Sequence, residues 1–499
     1  MIKDGKILLG KAQDQEIFMI PSQMNRHGLI AGASGTGKTT TLRVIAEGLS
    51  DIGVPCFVAD VKGDLSGLIN PGDMERIQGR VDSMGLEGFT VSGYPCRFFD
   101  VYHKKGHPIR AVMQQVDPVL LSRILDLTDA QQGVLNIIFR VAEDMDLDII
   151  NMEDLKAMCA YVGDHSKEYT VKYGNVSKQS IGGIQRRLLE LENQQGNLLF
   201  GMPQLDINDL LTRTYDGRGM ISMLECDELF HHPMTYSTFL LWLLDSIYRE
   251  LPEVGDLDRP KMVFFFDEAH LLFDNTSRQL MEKIEQIIKL IRSKGVGIFF
   301  ITQSPTDLPN SVLAQLSNRI QHALRAYTPS EIKNVKLAAD AFRVNPELDT
   351  ATVITEMKTG YALVSVLDED GAPTIVQHTK ICPPRSNMDI AADADRQRAI
   401  ENDSAGARYD LEYDPVSAFE SMDEIYAEEA EEKARLEEEK KQAKLEEQRL
   451  KQEAREQARR EKEGDWLDQL SRKAKKKAQN ELVNAGIRSA RKLLKGLFK

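Results

Sequence analysis

The residues whose types and spacing best suit chemistry are eight consecutive ones near the amino terminus, Gly32 to Thr39. They match the pattern G-x-x-x-x-G-K-[ST], in which glycines let backbone N–H groups curl around phosphate oxygens. Lys38 can then reach the β- and γ-phosphates, and the Thr39 hydroxyl can hold Mg²⁺. The sequence therefore predicts a site for ATP and Mg²⁺ formed by Gly32, Ala33, Ser34, Gly35, Thr36, Gly37, Lys38, Thr39 and Thr40.

A second pair of chemical groups lies far along the chain, where Asp267 and Glu268 follow the apolar run 261–266. A carboxylate at the end of a neighbouring strand can hold the Mg²⁺ of a bound triphosphate, and the next carboxylate can orient or deprotonate the attacking water. We therefore predict Asp267 as a Mg²⁺ residue and Glu268 as the catalytic base. The letters Asp-Glu-Ala-His also mark a helicase class, but Lys38 and Asp267 are too distant in sequence for one compact helicase lobe. His270 is accordingly predicted only to begin a helix.

Apolar runs and helical periodicity indicate the elements that must position these residues. Continuous apolar runs are typical of buried parallel strands, and they occur at 27–31, 55–60, 96–100, 219–224, 261–266 and 298–303. Further strands are predicted as an edge pair at 7–10 and 17–20, and as a hairpin, 362–367 and 374–381, around Asp370 and Gly371. Helices are predicted over 40–49, 238–251 and 279–294. The alternation predicts an α/β fold with a mainly parallel sheet.

Composition shifts divide the chain into segments. Residues 1–385 are predicted to form the ATPase domain, with a helical insertion at about 110–215, and 386–420 a linker. Residues 421–463 consist of strong helix formers with many Glu–Lys pairs four residues apart. Their apolar residues are sparse, which favours a solvated helix over a coiled coil without deciding between them.

The last segment, 464–499, is predicted to be a basic amphipathic helix. Its apolar residues include Leu482, Val483, Ile487, Leu493, Leu494, Leu497 and Phe498, interleaved with Arg488, Arg491, Lys492 and Lys495. A helix of this kind suits an anionic membrane surface, a partner protein or nucleic acid, and the sequence does not choose among them.

The charge balance bears on possible partners. The chain has a net charge of −14, although residues 464–499 carry ten Lys and Arg against three Asp and Glu. The acidic body is a poor general platform for DNA, so a DNA path would need a local basic lining such as a pore. The five cysteines lack metal-ligand or disulfide spacing, and the sequence has neither a signal-peptide pattern nor a run of 18 apolar residues. These features predict a cytoplasmic protein.

Five segments together resemble the HerA/FtsK superfamily of ring ATPases, and most closely the bacterial HerA-like proteins of the YjgR type. They are Gly32–Thr39, Asp60–Asp64, Phe266–His270, Arg292–Gly297 and Thr302–Pro305, and the resemblance covers about residues 5–385. It implies a RecA-like P-loop fold that assembles into a homo-oligomer, expected to be a hexamer.

The same resemblance implies roles for individual residues. Lys38 and Thr39 would bind nucleotide and Mg²⁺, Asp267 would hold Mg²⁺, and Glu268 would be the base. Gln303 would sense the γ-phosphate, and Arg292 would be an arginine finger that reaches a neighbouring subunit. Arg319 and Arg325 are weaker candidates for the finger.

Two functions of different classes remain open at this point. The resemblance implies an ATP-driven motor on double-stranded DNA, a translocase or helicase-like enzyme. The acidic body instead favours an ATP-gated assembly or scaffold protein whose tail docks a protein or membrane partner. A metabolite kinase is disfavoured, because nothing in the sequence resembles a lid over an acceptor substrate.

Overall fold

The computed structural model describes residues 1–255, 257–273 and 278–494, and the chain forms two compact units, Met1–Ser421 and Met422–Lys499. The strands of the described residues are β1 (Ile2–Lys3), β2 (Lys6–Ala12), β3 (Gln15–Met19), β4 (Gly28–Ala31), β5 (Cys56–Asp60), β6 (Cys96–Asp100), β7 (His107–Pro108), β8 (Ile221–Glu225), β9 (Met262–Phe266), β10 (Val296–Thr302), β11 (Asn318–Gln321), β12 (Tyr361–Ser365) and β13 (Gln377–Ile381). The α-helices are α1 (Lys38–Asp51), α2 (Met74–Met84), α3 (Pro118–Ile124), α4 (Asp129–Asp144), α5 (Met152–Asp164), α6 (Ser166–Tyr173), α7 (Lys178–Asn193), α8 (Pro233–Glu250), α9 (Arg278–Ile291), α10 (Asn310–Leu313), α11 (Pro329–Asp340), α12 (Thr350–Glu356), α13 (Asp393–Glu401) and α14 (Ala418–Leu494).

The strands form a single sheet in the order β1-β2-β13-β12-β11-β4-β10-β9-β5-β8-β6-β7, with β3 paired to β2 outside this path. Neighbours from β11 to β7 are parallel. The remaining pairs, at the other end of the sheet, are antiparallel. The predicted α/β fold with a mainly parallel sheet is confirmed.

The predicted strands correspond closely to those of the structure. All six predicted buried runs are strands, namely β4, β5, β6, β8, β9 and β10, and the predicted edge pair is β2 and β3. The predicted hairpin is β12 and β13, which pair with Tyr361 opposite Lys380, although β13 begins at Gln377 rather than at 374. The sequence did not predict β11, which lies between β4 and β12.

The register of the parallel strands brings their carboxyl ends to one edge of the sheet. Thr302 of β10 lies opposite Ala31 of β4, Phe300 lies opposite Phe266 of β9, and Ala59 of β5 also lies opposite Phe266. The residues that follow these four strands therefore emerge side by side. In an open parallel sheet, this edge is where ligands bind.

Helix α1 begins at Lys38 and covers one face of this parallel region. Its apolar residues Leu42, Ile45 and Leu49 are at most 1% exposed, and they share a core with Ile30 of β4 and Phe265 of β9. This burial is large, at about 2 kcal/mol for each fully buried aliphatic side chain. The packing fixes the start of α1 beside the end of β4, so the loop between them has little freedom.

Helices α3 to α7 occupy most of the segment in which a helical insertion is predicted. Three of them begin with an Asx or Thr cap, and in α4 and α5 the cap is a reciprocal capping box, built on Thr128 and Asn151. Their apolar sides are buried, for example Leu135 and Ile138 of α4 and Leu188 of α7. Local capping and an amphipathic pattern therefore account for this part of the fold.

Residues 386–420 were predicted to be a linker, and this prediction is wrong, because the segment belongs to the first compact unit. Asp403 pairs with the buried Arg97 of β6 at 2.5 Å, and Tyr409 is only 2% exposed. Arg396 of α13 lies 3.8 Å from the buried Glu225 of β8. The polar composition of the segment is compatible with packing because Asp403 and Arg396 have buried partners of opposite charge.

The second unit consists of helix α14, which runs without a break through the boundary predicted at 463. The side chains of residues 430–491 are exposed, and ion pairs between residues four apart occur along the helix, such as Lys451 with Glu447. Leu445 is 71% exposed and Leu482 is 74% exposed. Lys495, Leu497 and Phe498, predicted for the amphipathic helix, lie outside the described residues. Within the described ranges, no helix is long and apolar enough to cross a membrane.

Candidate active site

The loop between β4 and α1 has the backbone geometry of a phosphate cradle. Gly32, Gly35 and Gly37 have φ values of +154°, +73° and +115°, which residues with a Cβ rarely adopt. A Cβ on Gly32 would also lie 2.5 Å from the Cβ of His322. The loop ends at the first turn of α1, where free N–H groups and the helix dipole favour an anion.

Lys38 lies at the centre of this loop and is almost wholly buried, with 6% exposure. Its ammonium donates to the carbonyl oxygen of Gly32 at 2.6 Å and to that of Ala33 at 3.4 Å. Burial lowers its pKa, and the nearby ammonium of Lys62 lowers it further. A buried cation whose hydrogen-bond partners are neutral carbonyls is well suited to bind phosphate oxygens.

His322, which the sequence analysis missed, packs against the phosphate loop. It is fully buried, its Nδ1 donates to the carbonyl oxygen of Tyr361 at 2.9 Å, and its Nε2 lies 2.9 Å from the hydroxyl of Thr41. The carbonyl can only accept, so the Nε2 must be the acceptor for Thr41. Burial lowers the pKa of His322 to about 4, and the ring is therefore neutral at physiological pH.

Asp267 and Glu268 follow β9 at the same edge of the sheet. Asp267 is 6% exposed, and burial raises its pKa to about 7, with Lys62 opposing this rise and the carboxyls of Glu268 and Asp60 adding to it. Glu268 has a left-handed backbone with φ of +47°. Such a conformation is costly for a residue with a side chain and turns the chain sharply at this point.

The carboxylate of Glu268 is held from both sides. Lys62 donates to its Oε1 at 2.7 Å, and the side-chain amide of Gln303 lies 3.5 Å from its Oε2. His270, in a short 3₁₀ turn, is also 3.5 Å from that oxygen. Although burial raises the pKa of Glu268, the cations around it, Lys62 first, outweigh burial and lower the pKa overall.

The loop after β5 brings two further groups to the site. The carboxylate of Asp60 accepts from the N–H groups of Lys62, Gly63 and Leu65 at 3.2, 2.9 and 2.9 Å, which closes the loop tightly. Lys62 then points to Glu268, and the Oδ2 of Asp64 lies 3.5 Å from the hydroxyl of Thr39. The sequence analysis included this segment in the resemblance but gave neither residue a role.

The oxygen groups at the loop fit a Mg²⁺ ion. They are the hydroxyl of Thr39, the carboxylate of Asp267 and the carboxylate of Asp64, whose Oδ1 is buried without a hydrogen-bond partner. Hard oxygen ligands are those that Mg²⁺ prefers, usually with substrate phosphates and water completing its shell. The described ranges hold no cluster of three or more His, Cys, Asp or Glu that could bind a metal.

The structure brings together the predicted Lys38, Asp267, Glu268 and Gln303, but it does not bring Arg292 to them. Arg292 is exposed and follows α9, just before the amino end of β10. Its charge contributes to the lowered pKa of His27, which precedes the amino end of β4. Arg292 therefore lies at the opposite edge of the sheet from the phosphate loop of its own chain.

The two weaker arginine candidates differ from each other. All three groups of the Arg319 guanidinium bond to backbone carbonyls, of Leu316, Ala341 and Leu313, which is a structural role. Arg325 is exposed, although its guanidinium also donates to the backbone carbonyls of Thr355 and Met357. It lies shortly after Ala323, whose carbonyl oxygen accepts from the N–H of Ala33 in the phosphate loop at 2.8 Å. Arg325 is thus on the site's edge of the sheet.

A parallel sheet with a phosphate loop after one strand and an Asp-Glu pair after a near neighbour defines a RecA-like P-loop ATPase. Within this class, the model of the Helicase HerA-like C-terminal family matches residues 6–498. The chain therefore belongs to that family and is a HerA/FtsK-type ATPase.

Individual relatives are more distant. The DNA double-strand break repair helicase HerA of Saccharolobus solfataricus is 21% identical over 372 residues, which are 72% of this chain and 66% of that protein. The chain thus spans slightly less than two thirds of that relative. The HerA helicase of Sulfolobus acidocaldarius is 28% identical over 403 residues, 80% of this chain and 74% of that protein.

Solved structures agree on the fold. The plasmid coupling protein TrwB, in complex with ADP and Mg²⁺, superposes with a TM-score of 0.51 at 14% identity, over 77% of this chain and 89% of that one. Such a likeness supports the RecA-like fold alone.

Proposed function

We propose that this protein is a Mg²⁺-dependent ATPase that works as a motor on double-stranded DNA, as a homo-oligomer. The observation that carries the proposal is the meeting of Lys38, Asp267, Glu268 and Gln303 at one edge of the sheet. Double-stranded DNA as the substrate of the motor is supported by the HerA relatives, which are named DNA double-strand break repair helicases.

Each of these residues has a task in hydrolysis. The N–H groups of the loop and the ammonium of Lys38 bind the phosphates and offset their charge. Thr39 and Asp267 would hold Mg²⁺, which neutralises charge that develops on the phosphate oxygens. Glu268 takes a proton from the attacking water or orients it, and Gln303, beside Glu268, contacts the γ-phosphate and reports its presence.

The first test of this proposal is the ATPase rate of the full chain with and without duplex DNA, at two salt concentrations. We expect DNA to raise the rate severalfold, and higher salt to reduce this stimulation, because phosphate contacts release counterions. Lys38→Ala serves as the blank. A substantial rate that ignores DNA at both salt concentrations would contradict the DNA motor while leaving the ATPase in place.

An ATPase rate that does not respond to DNA would favour an ATP-gated scaffold that acts on a protein or membrane partner. The observation in its favour is the row of exposed apolar residues on α14, among them Trp466, Leu482 and Ile487, at 63%, 74% and 52% exposure. Solvated apolar residues interleaved with basic ones suit a partner surface.

The oligomer can be tested through Arg292. Since Arg292 lies away from the loop of its own chain, a role in hydrolysis requires a neighbouring subunit in the ring, where an arginine finger stabilises transition-state charge. Arg292→Ala and Glu268→Gln subunits are each expected to be nearly inactive alone. Mixed, they should regain a measurable fraction of the wild-type rate at interfaces that pair an intact Glu268 with an intact Arg292. No recovery at any mixing ratio would remove Arg292 from the site, and Arg325→Ala would then be tested in the same way.

A further inference from the structure

Lys62 is a charged residue of the site to which neither the family roles nor the hydrolysis steps above assign a task. It follows β5 in the loop that Asp60 closes, and its side chain is 43% exposed. Its ammonium lies 2.7 Å from the Oε1 of Glu268. The only cation of the phosphate loop, Lys38, is by contrast 6% exposed and fixed on loop carbonyls. Lys62 therefore has room to move where Lys38 does not.

The surroundings of Lys62 suit a phosphate group. Through its ion pair with Glu268, Lys62 lies at the same edge of the sheet as Lys38, and an anion bound at this edge attracts both ammonium groups. Lys38 of this loop pattern contacts the β- and γ-phosphates. A triphosphate bound there would bring its terminal phosphate towards both ammonium groups.

The ion pair with Lys62 also limits Glu268. With Lys62 on Oε1 and Gln303 near Oε2, both oxygens of the carboxylate have donors. A general base must offer an oxygen to the proton it removes, within hydrogen-bond reach of the water. Glu268 is therefore better placed to act once Lys62 has left it.

We propose that Lys62 moves from Glu268 to the γ-phosphate when ATP binds, so that one lysine both senses the triphosphate and frees the base. This inference rests on the proposed ATPase function. The proposed movement distinguishes ATP from ADP, because only ATP has γ-phosphate oxygens that can compete with the Glu268 carboxylate for the ammonium of Lys62. ADP would leave the Lys62–Glu268 ion pair intact.

The test compares the affinities of the full chain for a non-hydrolysable ATP analogue and for ADP, both with Mg²⁺. Lys62→Met keeps most of the aliphatic stem and removes the charge. We expect it to weaken binding of the analogue about tenfold, as for one charge-assisted hydrogen bond, and to leave ADP binding within twofold. Lys62→Arg should restore most of the preference for the analogue. Equal losses for both nucleotides, or no loss, would overturn the proposal.

A double-mutant cycle then tests the exchange itself. Glu268→Gln removes the ion pair, so the analogue should bind severalfold more tightly when Lys62 is present and no more tightly in Lys62→Met. Independent effects of the two substitutions would contradict an exchange. Lys105 is a matched control, since it is 41% exposed and paired with Asp227, and Lys105→Met should change neither affinity. A wild-type chain that binds nucleotide but fails to hydrolyse ATP would reject the ATPase function, and this result is separate from the affinity ratio.

Discussion

Glu268→Gln is expected to bind ATP at least as well as the wild-type chain and to hydrolyse it at least about a hundredfold more slowly. The amide has nearly the shape of the carboxylate but cannot accept a proton from water, and positioned general bases typically contribute 10²–10⁴-fold. The left-handed backbone of Glu268 and its 5% exposure place the side chain in one direction. An isosteric change should therefore remove the chemistry and leave the position.

Single-turnover hydrolysis of pre-bound ATP is the decisive measurement for Glu268→Gln, because it separates chemistry from binding and product release. Glu228→Gln is a suitable control, since Glu228 is a partly exposed glutamate paired with Lys104 near the same edge of the sheet. The control should keep the wild-type rate. A normal rate for Glu268→Gln would require another base.

The parallel core could be predicted from the sequence because buried parallel strands are nearly continuous runs of apolar residues. β9 and β10 are apolar at nearly every position, and all of their residues are buried. The phosphate loop could be predicted for a different reason, since its glycines are required by the backbone: Gly32 and Gly37 have φ values that favour glycine. In both cases, local chemistry alone determines the residue types.

β11 has no continuous run of apolar residues, although it lies in the middle of the sheet. Its sequence is polar, and its Asn318 is nonetheless 2% exposed. The amide of Asn318 donates to the carbonyls of Gln23 and His27 at 3.2 and 3.0 Å and accepts from the N–H of Leu367 at 3.2 Å. The side chain is stable in the interior because distant segments satisfy it. Partners that far away in sequence cannot be inferred from a local pattern.

The contact of Lys62 with Glu268 was not predicted, and the segment 386–420 was misjudged, for the same reason. The segment is polar, yet Asp403 pairs with Arg97 at 2.5 Å, some 300 residues away. Lys62 received no role from the sequence, and only the fold brings its ammonium within 2.7 Å of Glu268. Charged residues are assigned to loops by composition, whereas their pairing depends on the fold.

Lys38→Ala is expected to lose nucleotide binding almost entirely, by about a hundredfold or more in affinity. Its ammonium is the only cation fixed within the loop, and two charge-assisted hydrogen bonds to phosphate are together equivalent to about 3 kcal/mol. The same substitution should have a different effect on the stability of the fold. In the structure the buried ammonium bonds only to carbonyls and lies near Lys62, so its removal relieves an unfavourable burial.

The measurement for Lys38→Ala therefore pairs nucleotide titration with thermal unfolding of the same samples. We expect binding to vanish while the melting temperature without nucleotide stays unchanged or rises slightly, and we expect added ATP to stabilise the wild type but not Lys38→Ala. Lys333→Ala, an exposed lysine of α11, should keep both properties. A Lys38→Ala chain that melts much earlier would mean that the ammonium holds the loop together through Gly32. One that still binds ATP tightly would show that the N–H groups of the loop and the start of α1 suffice for the phosphates.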